Sequence, residues 1–253
     1  MTYSKKVVIV TGATSGIGEA VVQAFASTEA SIVLVGRDKE RGQRALESVQ
    51  KLNCPAELML GDVTDSAFAD HVINFTVERF GKVTVLVNSA GVIRRGSALE
   101  TTDDDWHHTF QANVNGVFYF SRAAVKAMRR TGGGSIINIA SSVALVGCPG
   151  LAAYCASKGA VVLLTRAMAL DHAKEQISIN AVCPGAVDTP MLVSAHDKPV
   201  SVDEVLQRNV DAIPQGRVAT PQEIASLTLY LASEEARHIT GVALPIDGGV
   251  TAG

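Results

Sequence analysis

The sequence predicts an α/β fold, a parallel sheet wrapped by helices on both faces, and three observations predict it. Short β-branched runs alternate along the chain with longer stretches of helical periodicity. The first strand-to-helix junction, TGATSGIG from Thr11 to Gly18, is rich in glycine. No repeat of about 20 to 50 residues, linker or low-complexity tract interrupts the alternation, so residues 1–253 read as one domain.

Composition narrows the class. With 47% hydrophobic residues the chain can bury a sizeable core. A formal charge of -3 and a pI near 6.1 give no electrostatic reason to bind nucleic acid or an anionic membrane, so small molecules are the expected partners. Cys54, Cys148, Cys155 and Cys183 form no C-x-x-C pair, and MTYSKKVVIV carries no secretory pattern. Neither a zinc site nor a disulfide framework is expected, and the setting is read as reduced and cytoplasmic. Thr131 to Ser157 has no charge, but Gly132 to Gly134, Asn138, Ser141, Ser142, Pro149 and Gly150 divide it into a strand, a loop and a helix start rather than a membrane span.

Val7 to Val10 reads as the first strand, and Glu19 to Ala30 as a helix with Val21, Val22 and Phe25 inward. Between them Gly12, Gly16 and Gly18 let backbone approach a ligand, and the helix start offers free N–H groups and a positive dipole end to a pyrophosphate. The spacing is G-x-x-x-G-x-G, without the Lys-Ser/Thr of a Walker A loop, and a plain structural turn is the alternative. Ser31 to Val35 is the second strand, ending in Gly36-Arg37-Asp38. An acid here holds adenosine ribose hydroxyls in dinucleotide-binding units, whereas an arginine accommodates a 2'-phosphate. Gly36 and Arg37 favour the phosphate; the other reading leaves Arg37 in solvent and turns Asp38 to the ribose.

Lys39 to Leu52 (helix), Glu57 to Leu60 (strand), Ser66 to Phe80 (helix) and Val83 to Val87 (strand) continue the alternation. Ligands gather at the carboxyl ends of such strands, where Asp62-Val63 and Asn88-Ser89-Ala90-Gly91 fall. Asp62-Val63 suits an adenine edge, and Asn88 is expected both to brace strands and to face the ligand. Thr102 with Asp105 matches a capping box, so the acids of DDDWHH mark a helix start rather than a metal site. His107 and His108 point about 100° apart on a helix and cannot share a metal. Asn113 is odd in mid-helix; buried, it must bond local backbone or an ordered water, and the water would belong to a proton path.

Gly134 to Ala140 is a strand ending at Ser141-Ser142. In YCASKGAVVLLTRAMAL, Tyr154 and Lys158 stand four apart on one helix face. An ammonium beside a phenol favours phenolate, which predicts a Tyr154 pKa pulled from about 10 toward neutrality; a solvated face with a chance pairing is the alternative. Ile177 to Cys183 is a strand stopped by Pro184-Gly185, with Thr189 just beyond. The less regular stretch around residues 188–213 reads as a mobile substrate lid. Pro221 to Leu231 is a helix and Val242 to Ile246 the last strand.

Taken together, the turn Thr11 to Gly18, Asp62, Asn88 to Gly91, Asn113, Ser141, Tyr154-x-x-x-Lys158 and Pro184-Gly185 with Thr189 resemble the short-chain dehydrogenase/reductase family, in order and spacing, over essentially the whole chain. The resemblance implies a single-domain, Rossmann-type doubly wound sheet of about seven strands and a nicotinamide cofactor. It also implies a homotetramer assembled through the long fourth and fifth helices. Arg37 favours NADP(H), with NAD(H) as the alternative. Cofactor contacts implied by the resemblance come from Gly12, Thr14, Ser15, Gly16, Ile17, Gly18, Arg37, Asp62, Val63, Asn88, Ala90, Gly91, Tyr154, Lys158, Pro184, Gly185, Val187 and Thr189. Asn113, Ser141, Tyr154 and Lys158 are the implied catalytic set. Ser89, where the family often has Asn, and Glu29, where it often has a capping glycine, are departures that remove no catalytic group.

Hydride arriving at a carbonyl develops negative charge on oxygen, which calls for a placed donor and a proton. Tyr154 would supply the proton, Ser141 hold the oxygen, Lys158 lower the phenol and bind the nicotinamide ribose, and Asn113 position a water linking Lys158 to solvent. Lowering a phenol from about 10 to about 7 corresponds to about 4 kcal/mol of preferential phenolate stabilisation. The expected substrate is a small ketone or alcohol. The run SAGVIRR also resembles sugar-acid dehydrogenases of the family, and Arg94 or Arg95 could grip a carboxylate. The plainer reading makes them solvated or subunit-interface arginines. Arg94, Val143, Leu151 and Met191 are the candidate substrate contacts, with Val146 and Leu192 adding to an apolar pocket. Competing readings are a silent cofactor-binding scaffold, which has no need of all four catalytic groups, and a serine hydrolase, for which no G-x-S-x-G elbow exists. An isomerase or dehydratase that recycles its nicotinamide would be told apart by the lack of net cofactor turnover.

Overall fold

In the computed structural model, which describes residues 3, 6–194 and 201–253, β1 (Val7–Thr11), flanked by β2 (Ser31–Gly36) and β4 (Val85–Asn88), forms the middle of the sheet. With β3 (Ala56–Leu60), β5 (Gly134–Ile139), β6 (Ile177–Pro184) and β7 (Ala243–Ile246) the order is β3-β2-β1-β4-β5-β6-β7, and every pairing is parallel. This is the seven-stranded Rossmann-type arrangement expected. Strands buried on both faces read as continuous apolar runs, and the two-residue period then divides them between layers. Val8, Val10, Ile32 and Leu34 pack under α1 (Gly16–Ala26), α2 (Lys39–Gln50) and α9 (Pro221–Leu231); Ile9, Val33 and Val35 face the opposite layer. That layer consists of α3 (Ser66–Phe80), α5 (Gly116–Met128) and α6 (Ala152–His172).

Helix ends follow local chemistry. α1 stops at Ala26, short of the expected Ala30, because the hydroxyls of Ser27 and Thr28 bond the carbonyls of Gln23 and Phe25 at 3.1 and 2.6 Å. Glu29 therefore lies beyond the helix and denies it no cap. Thr102 caps α4 (Asp103–Phe110) as expected, accepting from the Asp105 N–H at 3.1 Å. α4 runs into a single π turn, Gln111–Asn115, and then into α5. α6 is long and apolar enough to cross a membrane, yet half of its apolar stretch is buried inside the protein. The lid segment is more regular than its sequence suggests: α7 (Pro190–Val193) and α8 (Val202–Ala212) make up most of it, and residues 195–200 of the expected lid lie outside the described residues.

Candidate active site

The strand order reverses between β1 and β4, and a cleft of about 620 Å³ opens there at the carboxyl ends of the strands. Gly12 (φ 66°) turns the chain off β1; a Cβ there would come within 2.8 Å of Ala90 backbone, so the turn and the end of β4 touch through glycine alone. Gly18 lets α1 lie against the turn, since its Cβ would come 2.1 Å from the Gly12 carbonyl. The Ser15 side chain makes no capping bond at the α1 start, which leaves the first N–H groups directed outward beside the cleft. A glycine cradle closed by Ala90 and Thr189, ending in an uncapped helix N-terminus, fits a pyrophosphate.

Gly12, Ser15, Gly16, Ile17, Ala90, Gly91, Pro184, Gly185, Val187 and Thr189 all line the cleft, as expected. Thr14, Gly18, Arg37, Asp62, Val63 and Asn88 do not. Arg37 and Asp62 form an exposed pair at 3.5 Å beyond β2 and β3, and Thr14 packs against Gly36. Val63 turns inward against Gly116 and joins the core beneath α5. Asn88 carries out only the bracing half of its expected role. Its amide is buried and donates to Ser121 Oγ at 3.0 Å and Asn138 Oδ1 at 2.8 Å, so the side chain faces the protein interior. Asp38 is not free for a ribose either, because its carboxylate caps α2 and accepts from Arg41 N and Nε at 2.9 Å each.

The catalytic candidates converge. Ser141 follows β5, and Tyr154 and Lys158 project from the first turns of α6. Lys158 Nζ donates to the Ile139 carbonyl at 2.8 Å and lies 5.7 Å from the Tyr154 ring centre. Burial pushes the Tyr154 phenol up to about 12, against a smaller lowering by its hydrogen bond with Ser141, and pushes Lys158 down to about 8. The expected downward pull on the tyrosine is thus reversed in the protein alone. Both groups are buried, and desolvation of the phenolate outweighs any help from the ammonium.

Asn113 sits in the π turn, wholly buried, and its side chain bonds protein partners. Its Oδ1 accepts from Val92 N at 2.8 Å, while Nδ2 donates to Val92 O at 2.9 Å and Ser157 Oγ at 3.0 Å. It fastens the segment after Gly91 to the helix carrying Tyr154 and Lys158. Sequence patterning singled out neither Val92 nor Ser157, since neither has a pattern of its own.

Val143, Leu151 and Met191 line the substrate end, but Arg94 does not. Its guanidinium pairs with Asp105 of α4 at 3.2 Å, a contact that a linear pattern of adjacent arginines cannot reveal. Arg95 lines the cleft instead. Of the other expected apolar contacts Leu192 is present, whereas Val146 is exposed and outside the lining. Arg208 and Asn209 also enter, from the segment read as a lid, and so does Val250, which sequence patterning did not single out. His107 and His108 are exposed on α4.

A family model described as enoyl-(acyl carrier protein) reductase matches residues 12–251. The chain is 40% identical to a meso-2,3-butanediol dehydrogenase of Serratia marcescens, over all of this chain and 97% of the relative. It is 39% identical to a trans-4-hydroxycyclohexanecarboxylate dehydrogenase of Sinomonas cyclohexanicum, over 99% of this chain and 94% of the relative. Among solved structures, an actinorhodin polyketide ketoreductase with NADPH superposes with a TM-score of 0.92 at 34% identity, covering 99% of each chain.

Proposed function

Because this chain belongs to the short-chain dehydrogenase/reductase family of NAD(P)-dependent oxidoreductases, we propose that it interconverts a secondary alcohol and a ketone, with Tyr154 as general acid/base and NADP(H) as preferred cofactor. Convergence of Ser141, Tyr154 and Lys158 on one cleft carries this reading. The two relatives named above take secondary alcohols by their names, which supports the substrate class.

A bound nicotinamide would supply or take up the hydride and, when oxidised, would contribute a positive charge that favours the phenolate. Ser141 and Tyr154 hold the carbonyl oxygen from two sides, and Tyr154 passes the proton. Lys158, with a pKa of about 8, is largely charged at neutral pH; it supports the phenolate and reaches the ribose. Gly12 to Gly18 and the α1 N-terminus receive the pyrophosphate. Asn113 acts by fastening Val92 and Ser157, and the altered backbone bonding of its π turn suits a water leading to Lys158.

Two observations favour a 2'-phosphate. Asp38 is committed to capping α2, and Arg37 is 62% exposed with only a loose partner in Asp62. The single sheet supports one catalytic domain over residues 1–253, and the four free cysteines suit a reduced, cytoplasmic setting. Leu163 and Leu170 on the outer face of α6 are 63% and 84% exposed, which supports a homotetramer built on this helix and the α4–α5 rod.

Parallel fluorescence titrations with NADPH and NADH, followed by ketones, test this. Tighter NADPH, by about tenfold or more (about 1.4 kcal/mol), is expected. In Tyr154→Phe turnover should vanish while cofactor affinity is kept. Near-normal rates in that variant would sink the mechanism, and tighter NADH would return Arg37 to solvent and point to an NAD-dependent alcohol or sugar-acid dehydrogenase.

A further inference from the structure

The charge around the cleft is one-sided. Among the described residues its lining includes Arg95, Lys158 and Arg208 and neither Asp nor Glu. Lys158 has the Ile139 carbonyl, and Arg208 is exposed on α8. Arg95 is half-buried and, among the described residues, has no carboxylate within ion-pair distance, unlike its neighbour Arg94.

The guanidinium of Arg95 has one edge in use and one free. Nε and Nη2 donate to the carbonyls of Ser194 and Leu192 at 3.5 and 3.3 Å, at the end of α7. The other edge, Nη1 with the second N–H of Nη2, has no partner among the described residues. Such an edge matches the two oxygens of a carboxylate. Its place is at the reacting end of the cleft: Gly96 bridges Leu151, three residues before Tyr154, and the Gly96 N–H donates to the Gly150 carbonyl at 2.8 Å. Burial raises both the Tyr154 phenol and the Cys148 thiol, and the positive charge of Arg95 opposes that rise in each as a minor contribution. Ile93, Leu151 and Met191 line the same cleft, and a half-buried cation in a partly apolar cleft is stabilised by an anion in a way that a neutral ligand does not match.

We propose that the substrate carries a carboxylate, bound bidentately by the free edge of Arg95 while Tyr154 and Ser141 meet the carbonyl or hydroxyl of the same molecule. The proposal rests on the oxidoreductase reading above. Because the other edge of Arg95 holds the end of α7, binding the anion also ties the first helix of the lid to the substrate.

The test uses the full chain with NADPH and with NADH, and matched pairs of a keto acid and its methyl ester in which the carbonyl-to-carboxyl spacing is varied. At one spacing the acid is expected to exceed its ester in kcat/KM by about tenfold or more. Arg95→Met should lower kcat/KM for that acid by about 10- to 100-fold, mainly through KM, and for the ester by less than about threefold. Arg95→Lys, which keeps the charge and loses the flat edge, should recover part of the loss. Esters used as well as acids by the wild type, or equal losses for both in Arg95→Met, would overturn the proposal and leave Arg95 as a lid support. If no carbonyl compound of either kind oxidises the reduced cofactor, it is the oxidoreductase reading beneath that fails.

Discussion

Lys158 binds its proton less tightly in the fold, at about 8, than in the unfolded chain, near 10.5, because burial disfavours the ammonium. Below pH 8 the ammonium is present in both states and its burial weakens the fold. Above that, the unfolded chain still holds a proton that the folded chain has released, so stability rises with pH through the window. Wild type should therefore gain urea midpoint relative to Lys158→Met between pH about 8 and about 10, and the two should run parallel at lower pH. A difference that stays flat through the window would refute the shift. The pairing of Tyr154 with Lys158 was legible in the sequence; the direction of the tyrosine shift was not, because helix spacing reports proximity and says nothing of solvent.

At the scale of elements, the π turn joins three pieces of backbone through a single side chain. Asn113→Ala leaves the Val92 N–H and C=O without their side-chain partner and takes one donor from the Ser157 hydroxyl, which keeps its bond to the Tyr154 carbonyl. Each buried group left unsatisfied costs roughly 1–3 kcal/mol, so a total loss of about 2 kcal/mol or more is expected even though Val92 is only partly buried. For a chain of this length that lowers the thermal midpoint by roughly 4–8 °C or more. A scan that finds the midpoint unchanged would show that the bonds of Asn113 are not structural. Strand and helix order was readable here because each element is signalled within about ten residues by its own period. The two helices of the lid were not, since mixed polarity hid the capping box that Ser201 and Glu204 form.

Over the whole molecule, the apolar outer face of α6 should be covered by further copies of the chain. Sedimentation is expected to find four chains together, and Leu163→Glu, which places a charge on that face, should give smaller species with the fold retained by circular dichroism. An assembly that is unaffected would move the interface elsewhere.

The sequence by itself determined the α/β class, the strand and helix order and the group Ser141, Tyr154 and Lys158, because periodicity and short motifs are local properties. The family followed from the order of those motifs. Only the tertiary structure decided that Arg95 rather than Arg94 faces the cleft, that Asn88 and Val63 turn inward, and that burial sets the protons of Tyr154 and Lys158. The physical reason is the same in each case. Burial and charge environment are sums over groups far apart in the chain, such as Asp105 beside Arg94 and the Leu192 carbonyl beside Arg95, and no local pattern encodes those meetings.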